Sequence, residues 1–142
     1  MLDESLALAT DRIRLQHIEV RKNYPERPME IKADRSKLVI AFTNLVINAI
    51  ESMETGRGKL TVTISKMSGA FSVSIRDNGK GISDEHLSKI FEPFFTSKKN
   101  GMGLGLSACH SIIESHKGTI YVESKPDKGS NFVINFGIYQ LQ

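Results

Sequence analysis

The sequence is poor in cysteine, carries no long apolar run and does not cluster its charge, and each deficit removes a class of protein. A single cysteine, Cys109, cannot build an internal disulfide framework or a cysteine-rich zinc site, and it suits a reducing compartment. No stretch approaches the roughly 20 apolar residues of a membrane-spanning helix. The start, Met1-Leu2-Asp3-Glu4, lacks the charged-then-apolar order of a signal peptide. The net charge of +3 comes from basic residues scattered along the chain, not from the concentrated stripe that nucleic acid selects. Internal repeats and low-complexity segments are missing too. What remains is 142 residues, 39% apolar and 25% charged, which is enough for one soluble domain with a real core. A cytoplasmic location is expected for this domain, whatever anchors a longer chain.

Periodicity divides the chain into elements. Residues 3 to 16 read as a helix with Leu2, Leu6, Ala9 and Ile13 on one face, followed by a short strand at Ile18 and Val20. Tyr24-Pro25-Glu26-Arg27-Pro28 breaks that strand, and a second short one runs from Met29 to Ala33. Asp34 is a good N-cap for a long helix to about Met53, which Thr55-Gly56-Arg57-Gly58 ends. Leu60, Val62 and Ile64 alternate, Ser68-Gly69 turns, and Phe71, Val73 and Ile75 alternate again, as in a β-hairpin. Residues 83 to 90 suggest a short helix capped by Ser83, and residues 94 to 103 carry no period. A helix from Leu104 to His116 stops at Gly118, in the place a C′ glycine takes. Two strands, through Ile120 and Val122 and through Phe132, Ile134 and Phe136, close the chain around Pro126-Asp127-Lys128-Gly129. Without strict βαβ alternation, the pattern predicts an α+β domain with a mostly antiparallel sheet and helices on one face.

The long helix carries an unusual polar face. At about 100° per residue, Lys37, Asn44, Asn48 and Glu51 share one narrow sector, opposite Leu38, Phe42, Leu45, Val46, Ala49 and Met53. Asparagine is a mediocre helix former, so two of them in mid-helix invite an explanation, and taken alone the helix is read as a solvated face with incidental amides. Further on stand Asp77-Asn78-Gly79-Lys80-Gly81, Phe91-Glu92-Pro93-Phe94-Phe95 and Gly101-Met102-Gly103-Leu104-Gly105-Leu106. Asp77-Asn78-Gly79 alone is good hairpin chemistry, but the residues after Gly81 start a helix rather than a partner strand. The glycine-rich segment opens a helix, where free N–H groups and the helix dipole suit phosphates. It lacks the Gly-Lys-Ser/Thr of a P-loop and the spacing of a dinucleotide fingerprint.

In this order the four blocks resemble the nucleotide-binding motifs of sensor histidine kinases, members of the GHKL ATP-binding superfamily. The resemblance runs from about residue 3 to residue 137, with Gly118-Thr119-Ile120 and Gly129-Ser130-Asn131-Phe132 matching the closing strands. It implies a two-layer α/β sandwich of the Bergerat type, forming a single catalytic and ATP-binding domain over residues 1–142 with a lid at about 83–103. ATP and Mg²⁺ are the implied cofactors. Asp77 would accept from the adenine amino group, with Gly79 and Gly81 letting backbone approach the base and Ile82 beside it. Asn48 would give Mg²⁺ an amide oxygen, a hard donor without added negative charge. Asn44 would lie near the phosphates. Thr96, Lys98, Gly101, Gly103, Leu104, Gly105, Leu106 and Ser130 complete the implied nucleotide-binding set. Residues 94 to 103 would form the mobile part of the lid, with Phe94 or Phe95 packing its base onto the core. Two positions depart from the family pattern. Met102 stands where relatives often carry Thr or Ser, and Glu51 where many carry Lys or Arg. Lys98 is the candidate compensating cation, against the plain reading of a solvated loop lysine.

The same fold serves hydrolases that place a glutamate four residues before the Mg²⁺ asparagine as a general base. Here that position is Asn44, which cannot take a proton, so the reading favours transfer to a histidine. An ATP-hydrolysing domain using Glu51, or a non-catalytic nucleotide sensor, remains the alternative. His17, His86, His110 and His116 all lie outside the His-Glu/Asp-x-x-x-Pro context of the family's phosphoacceptor. The expected partners are therefore a separate dimerisation and phosphoacceptor domain of the same kinase and a downstream response regulator. The isolated domain is expected to be monomeric.

Overall fold

The computed structural model of the chain describes residues 2–25, 34–67, 70–92 and 105–137. Its elements, in order, are α1 (Leu2–Leu8), α2 (Thr10–Leu15), β1 (Glu19–Asn23), α3 (Arg35–Ser52), β2 (Lys59–Met67), β3 (Ala70–Asp77), α4 (Asp84–Leu87), α5 (Gly105–Ser115), β4 (Thr119–Lys125) and β5 (Gly129–Gly137). The strands form one sheet in the order β1-β2-β3-β5-β4. Only β1 and β2 run parallel, joined by the α3 crossover that a parallel pair requires. The other pairs are antiparallel, as the pattern predicts.

Alternation along each strand divides the sheet into a dry and a wet face. Leu60, Val62, Phe71, Val73, Ile75, Phe132, Ile134 and Phe136 are buried on the face that α3 and α5 cover. The opposite face carries Thr61, Thr63, Ser72, Ser74, Arg76, Asn131 and Asn135. α3 buries Leu38, Ala41, Phe42, Leu45, Val46, Ala49 and Ile50, and Asp34 caps it by accepting the Lys37 N–H at 3.2 Å. Its other end is also tied down, since the Gln16 side chain donates to the Ile50 carbonyl at 3.2 Å.

Three boundaries differ from the sequence expectation. The helix expected over residues 3 to 16 breaks at Ala9 into α1 and α2. The Thr10 hydroxyl reaches the Leu6 carbonyl at 3.4 Å, and the Ala9 N–H turns to that same carbonyl at 3.1 Å, a tightened turn of the kind Ser and Thr hydroxyls promote. Leu2, Leu6 and Ala9 are buried nonetheless, so the core pattern survives the break. The helix expected over 83 to 90 shrinks to one turn, because the Lys89 and Glu92 N–H groups bond three residues back rather than four. At the end of α5 the left-handed residue is Lys117, at φ 59°, and not Gly118. The Gly118 N–H reaches the Ile113 carbonyl at 3.0 Å and that of Lys117 reaches Glu114 at 2.9 Å, a closure that puts Gly118 one place further on. The strand expected at Met29 to Ala33 and the Ser68-Gly69 turn lie outside the described residues.

Candidate nucleotide-binding site

α3, the loop after β3, the β4–β5 turn and the start of α5 converge on one region. The loop Asp77–Ile82 is held from three sides. Asn78 clips it to β2, accepting the Lys59 N–H at 2.8 Å and donating to the Arg57 carbonyl at 3.0 Å. The Lys80 N–H bonds the Ser52 carbonyl at the end of α3, 3.0 Å away, and the Lys80 carbonyl accepts the Asp127 N–H at 2.7 Å. The Ile82 N–H donates to the Ser124 hydroxyl at 2.7 Å. Ser124 in turn reaches the Gly129 carbonyl at 3.0 Å, so its one proton is committed there, and Ser130 is the donor in the 2.8 Å contact between the two hydroxyls.

This frame accounts for the glycines more directly than the base does. A Cβ on Gly79 would run into the Ser52 carbonyl and hydroxyl, and one on Gly81, at φ 73°, would overlap the Lys125 carbonyl. Space expected to be kept for the base is filled at both positions by the protein's own chain. Asp77 sits inside the frame, only 3% exposed. Its Oδ1 accepts the Gly79 N–H at 2.9 Å, and the Ser130 N–H also favours its charged form. The Ser52 hydroxyl beside it donates its one proton to the Ala49 carbonyl at 2.8 Å. Burial pushes the Asp77 pKa up from the ordinary carboxylate value, while these polar neighbours pull it back. A carboxylate offers about four acceptor directions, so capacity remains for an incoming amino donor.

About two helical turns up α3, at ~1.5 Å per residue, the chemistry changes. Asn44 and Asn48 are both half-buried. The Asn44 amide nitrogen donates to the Gly105 carbonyl at 3.2 Å, fastening α3 to the first residue of α5. A Cβ on Gly105 would meet Asn44 Cγ at 3.8 Å, an ordinary contact. Leu106 is half-buried against the core. The far end of α5 is tied as well. The Asp34 N–H donates to His116 Nε2 at 3.0 Å, so the proton sits on Nδ1 and bonds the Ile112 carbonyl at 2.8 Å. Glu51 is exposed. Thr96, Lys98, Gly101, Gly103 and Leu104, along with Phe94 and Phe95, lie outside the described residues. Beyond α4, Phe91 packs edge-on to Phe132 at 6.4 Å and lies 5.2 Å from the His110 ring.

Among the described residues, no three His, Cys, Asp or Glu side chains gather as a metal site. The half-buried Asn48 carries an amide oxygen, a donor of the kind that hard cations accept. Burial pushes the Cys109 thiol up to about 12, which makes it inert.

Three contributors escaped the sequence reading. Ser52 continues the spacing of four that marks Asn44 and Asn48, so extending the row by one turn finds it. Ser124 faces the expected Ser130 on the apolar side of β4 and β5, and a polar pair where alternation demands hydrophobes is the signal that finds it. Asn78 was hidden by the hairpin reading of its motif.

Residues 33–140 match the family model described as histidine kinase-, DNA gyrase B-, and HSP90-like ATPase. The chain is 38% identical over 136 residues to sporulation kinase A of Bacillus subtilis, covering 96% of this chain and 22% of that protein. It therefore spans under a quarter of that relative's length. The catalytic domain of the histidine kinase ThkA superposes with a TM-score of 0.85 at 35% identity, covering 96% of this chain and 89% of that one. ThkA in complex with the response regulator protein TrrA superposes with a TM-score of 0.80 at 33% identity, over 95% of this chain and 38% of that one. By the family model, the close relative and the superposed domain together, the chain belongs to the histidine kinase-, DNA gyrase B- and HSP90-like ATPases, as a sensor histidine kinase catalytic domain.

Proposed function

We propose that this domain binds Mg-ATP and donates the γ-phosphoryl group to a histidine on a dimerisation and phosphoacceptor domain, within a longer cytoplasmic or membrane-anchored kinase that serves a response regulator. Asp77, with acceptor capacity still open, selects the adenine amino group. The Gly79 and Ser130 N–H groups hold that carboxylate in place, and Gly81 and Ile82 continue the same loop beside the base. Asn44 and Asn48 face the phosphates, and the lid residues Thr96, Lys98, Gly101, Gly103 and Leu104, with Gly105 and Leu106, close over them. Mg²⁺, when bound, would neutralise charge on the phosphates, with Asn48 supplying one amide oxygen. The chain's own contribution is to bind, orient and exclude water, which is the larger part of phosphoryl-transfer catalysis.

The observation that carries this reading is the Asn44–Gly105 bond. The residue where hydrolases of this fold place a general base is here an amide engaged in holding α5. A neutral histidine acceptor is itself a good nucleophile and needs no such base. Incubating the domain with labelled ATP and a supplied histidine-bearing phosphoacceptor domain tests the proposal. The expected product is acid-labile and base-stable, as a phosphoramidate is. Fast ATP turnover without acceptor, lost on Glu51→Gln, would make this a hydrolase instead.

A further inference from the structure

A cleft of about 680 Å³ opens at the adenine end of the domain, where the outer face of the sheet, with Thr61, Arg76, Glu123 and Asn131, meets helix-side residues that include Leu87 and Val122. Lys59, Arg76, Lys125 and Lys128 line it, with Glu123 and Asn131 between them. All four cations are exposed, and among the described residues none forms an ion pair. Register places Thr61, Arg76, Asn131 and Glu123 in one row across β2, β3, β5 and β4. Asn131 Oδ1 is turned inward and meets no donor. Rotating that amide outward would offer an oxygen that meets no donor where it now lies.

The nucleotide reading, on which this inference rests for its orientation, leaves these cations unexplained. The phosphates belong near Asn44 and Gly105, whereas the cleft backs onto Asp77, Asn78 and Ser130, where the base has no charge to neutralise. We propose that this cleft is a docking site for an extended acidic segment of a partner protein. From β2 to β4 is three strand spacings, about 14 Å, more than one phosphate group bridges but within reach of a few extended residues. Carboxylates would meet Arg76, Lys59, Lys125 and Lys128. A peptide N–H would satisfy the Asn131 oxygen, a donor that a nucleic-acid backbone or a polyphosphate does not offer. Glu123 disfavours a uniformly acidic ligand and calls for a donor or a basic residue opposite β4.

The test is fluorescence anisotropy with a labelled Glu/Ser-rich peptide, titrated with the whole domain at low and high salt. Binding should weaken as salt rises, and Arg76→Gln with Lys128→Gln should weaken it about tenfold. Asn131→Ala should weaken peptide binding and leave tripolyphosphate unaffected. A fluorescent ATP analogue, measured in the same variants, should bind as in the parent. Loss of both ligands marks a damaged fold, which would show that these residues serve stability rather than docking. No peptide binding, equal binding by the Arg76/Lys128 variant, or tripolyphosphate and single-stranded oligonucleotide binding as tightly as peptide, would each overturn the proposal.

Discussion

The two ends of the candidate site are built on different principles. At the adenine end, the loop around Asp77 is fastened to α3, β2 and the β4–β5 turn by short hydrogen bonds, and its glycines are dictated by the protein's own backbone. At the phosphate end, the Asn44 side chain on α3 bonds the Gly105 carbonyl at the start of α5, a glycine that has room for a side chain. The first arrangement is complete before any ligand arrives. We expect the second to be completed by nucleotide, as ligand-gating segments of low local stability are. Rigid recognition of the base and adaptable enclosure of the phosphates is a workable division for an enzyme that must release one nucleotide and capture the next.

The sharpest way to break this comparison is one substitution at each end. Gly79→Ala drives a methyl group into the Ser52 backbone and should destabilise the domain by about 3 kcal/mol, the upper part of the overpacking range. Gly105→Ala sits at the first position of α5 in ordinary contact with Asn44, and should be neutral or stabilising by up to about 1 kcal/mol. Chemical denaturation of both variants measures the contrast, and similar losses at the two ends would erase it. A smaller effect is expected at Asp77. Replacing it with Asn turns part of an acceptor into a donor and should weaken ATP binding by about 1–3 kcal/mol while reducing the preference over GTP. An unaffected variant, titrated with a fluorescent analogue, would remove Asp77 from recognition.

Smallest is a pH effect whose sign follows from burial. The folded-state pKa of Asp77 is raised, so the folded domain holds that proton more tightly than the unfolded chain does. Stability of the free domain should therefore fall as pH rises from the ordinary carboxylate value through the raised one. Asp3 acts in the opposite sense. Its pKa is lowered by its bond to Lys22, so its contribution is present above the ordinary value and is lost as pH falls through the folded one. The melting temperature of the parent and of Asp77→Asn, followed across that interval, separates the two. The decline should be missing in the Asn variant.

The sheet, α3 and the Asp34 cap were legible in the sequence because each is set by local alternation, helical spacing or capping chemistry within a few residues. Asn44, Asn48 and Asp77 became candidates only through the order of four motifs along the chain, since each local pattern alone suits a solvated helix face or a hairpin turn. The break at Ala9 was not legible, because it depends on whether the Thr10 hydroxyl competes for the Leu6 carbonyl, and an apolar pattern is silent on that. Lys117 in place of Gly118 reflects the geometry of closure at α5, where a side chain is tolerated in the left-handed region. Ser52, Ser124 and Asn78 act through contacts with distant segments. A sequence shows those residues but not what they meet.

If the base end is built in advance and the phosphate end is completed by nucleotide, hydrogen exchange of the free and Mg-ATP-bound domain will differ between them. Amides of Gly79, Lys80 and Ile82, already bonded to Asp77, Ser52 and Ser124, should exchange slowly without nucleotide and change little on its addition. Amides at Gly105 to Ser107, at the opening of α5, should exchange quickly at first and become protected when nucleotide binds. Equal protection at both ends in the free domain, or protection by nucleotide confined to the Asp77 loop, would contradict the account.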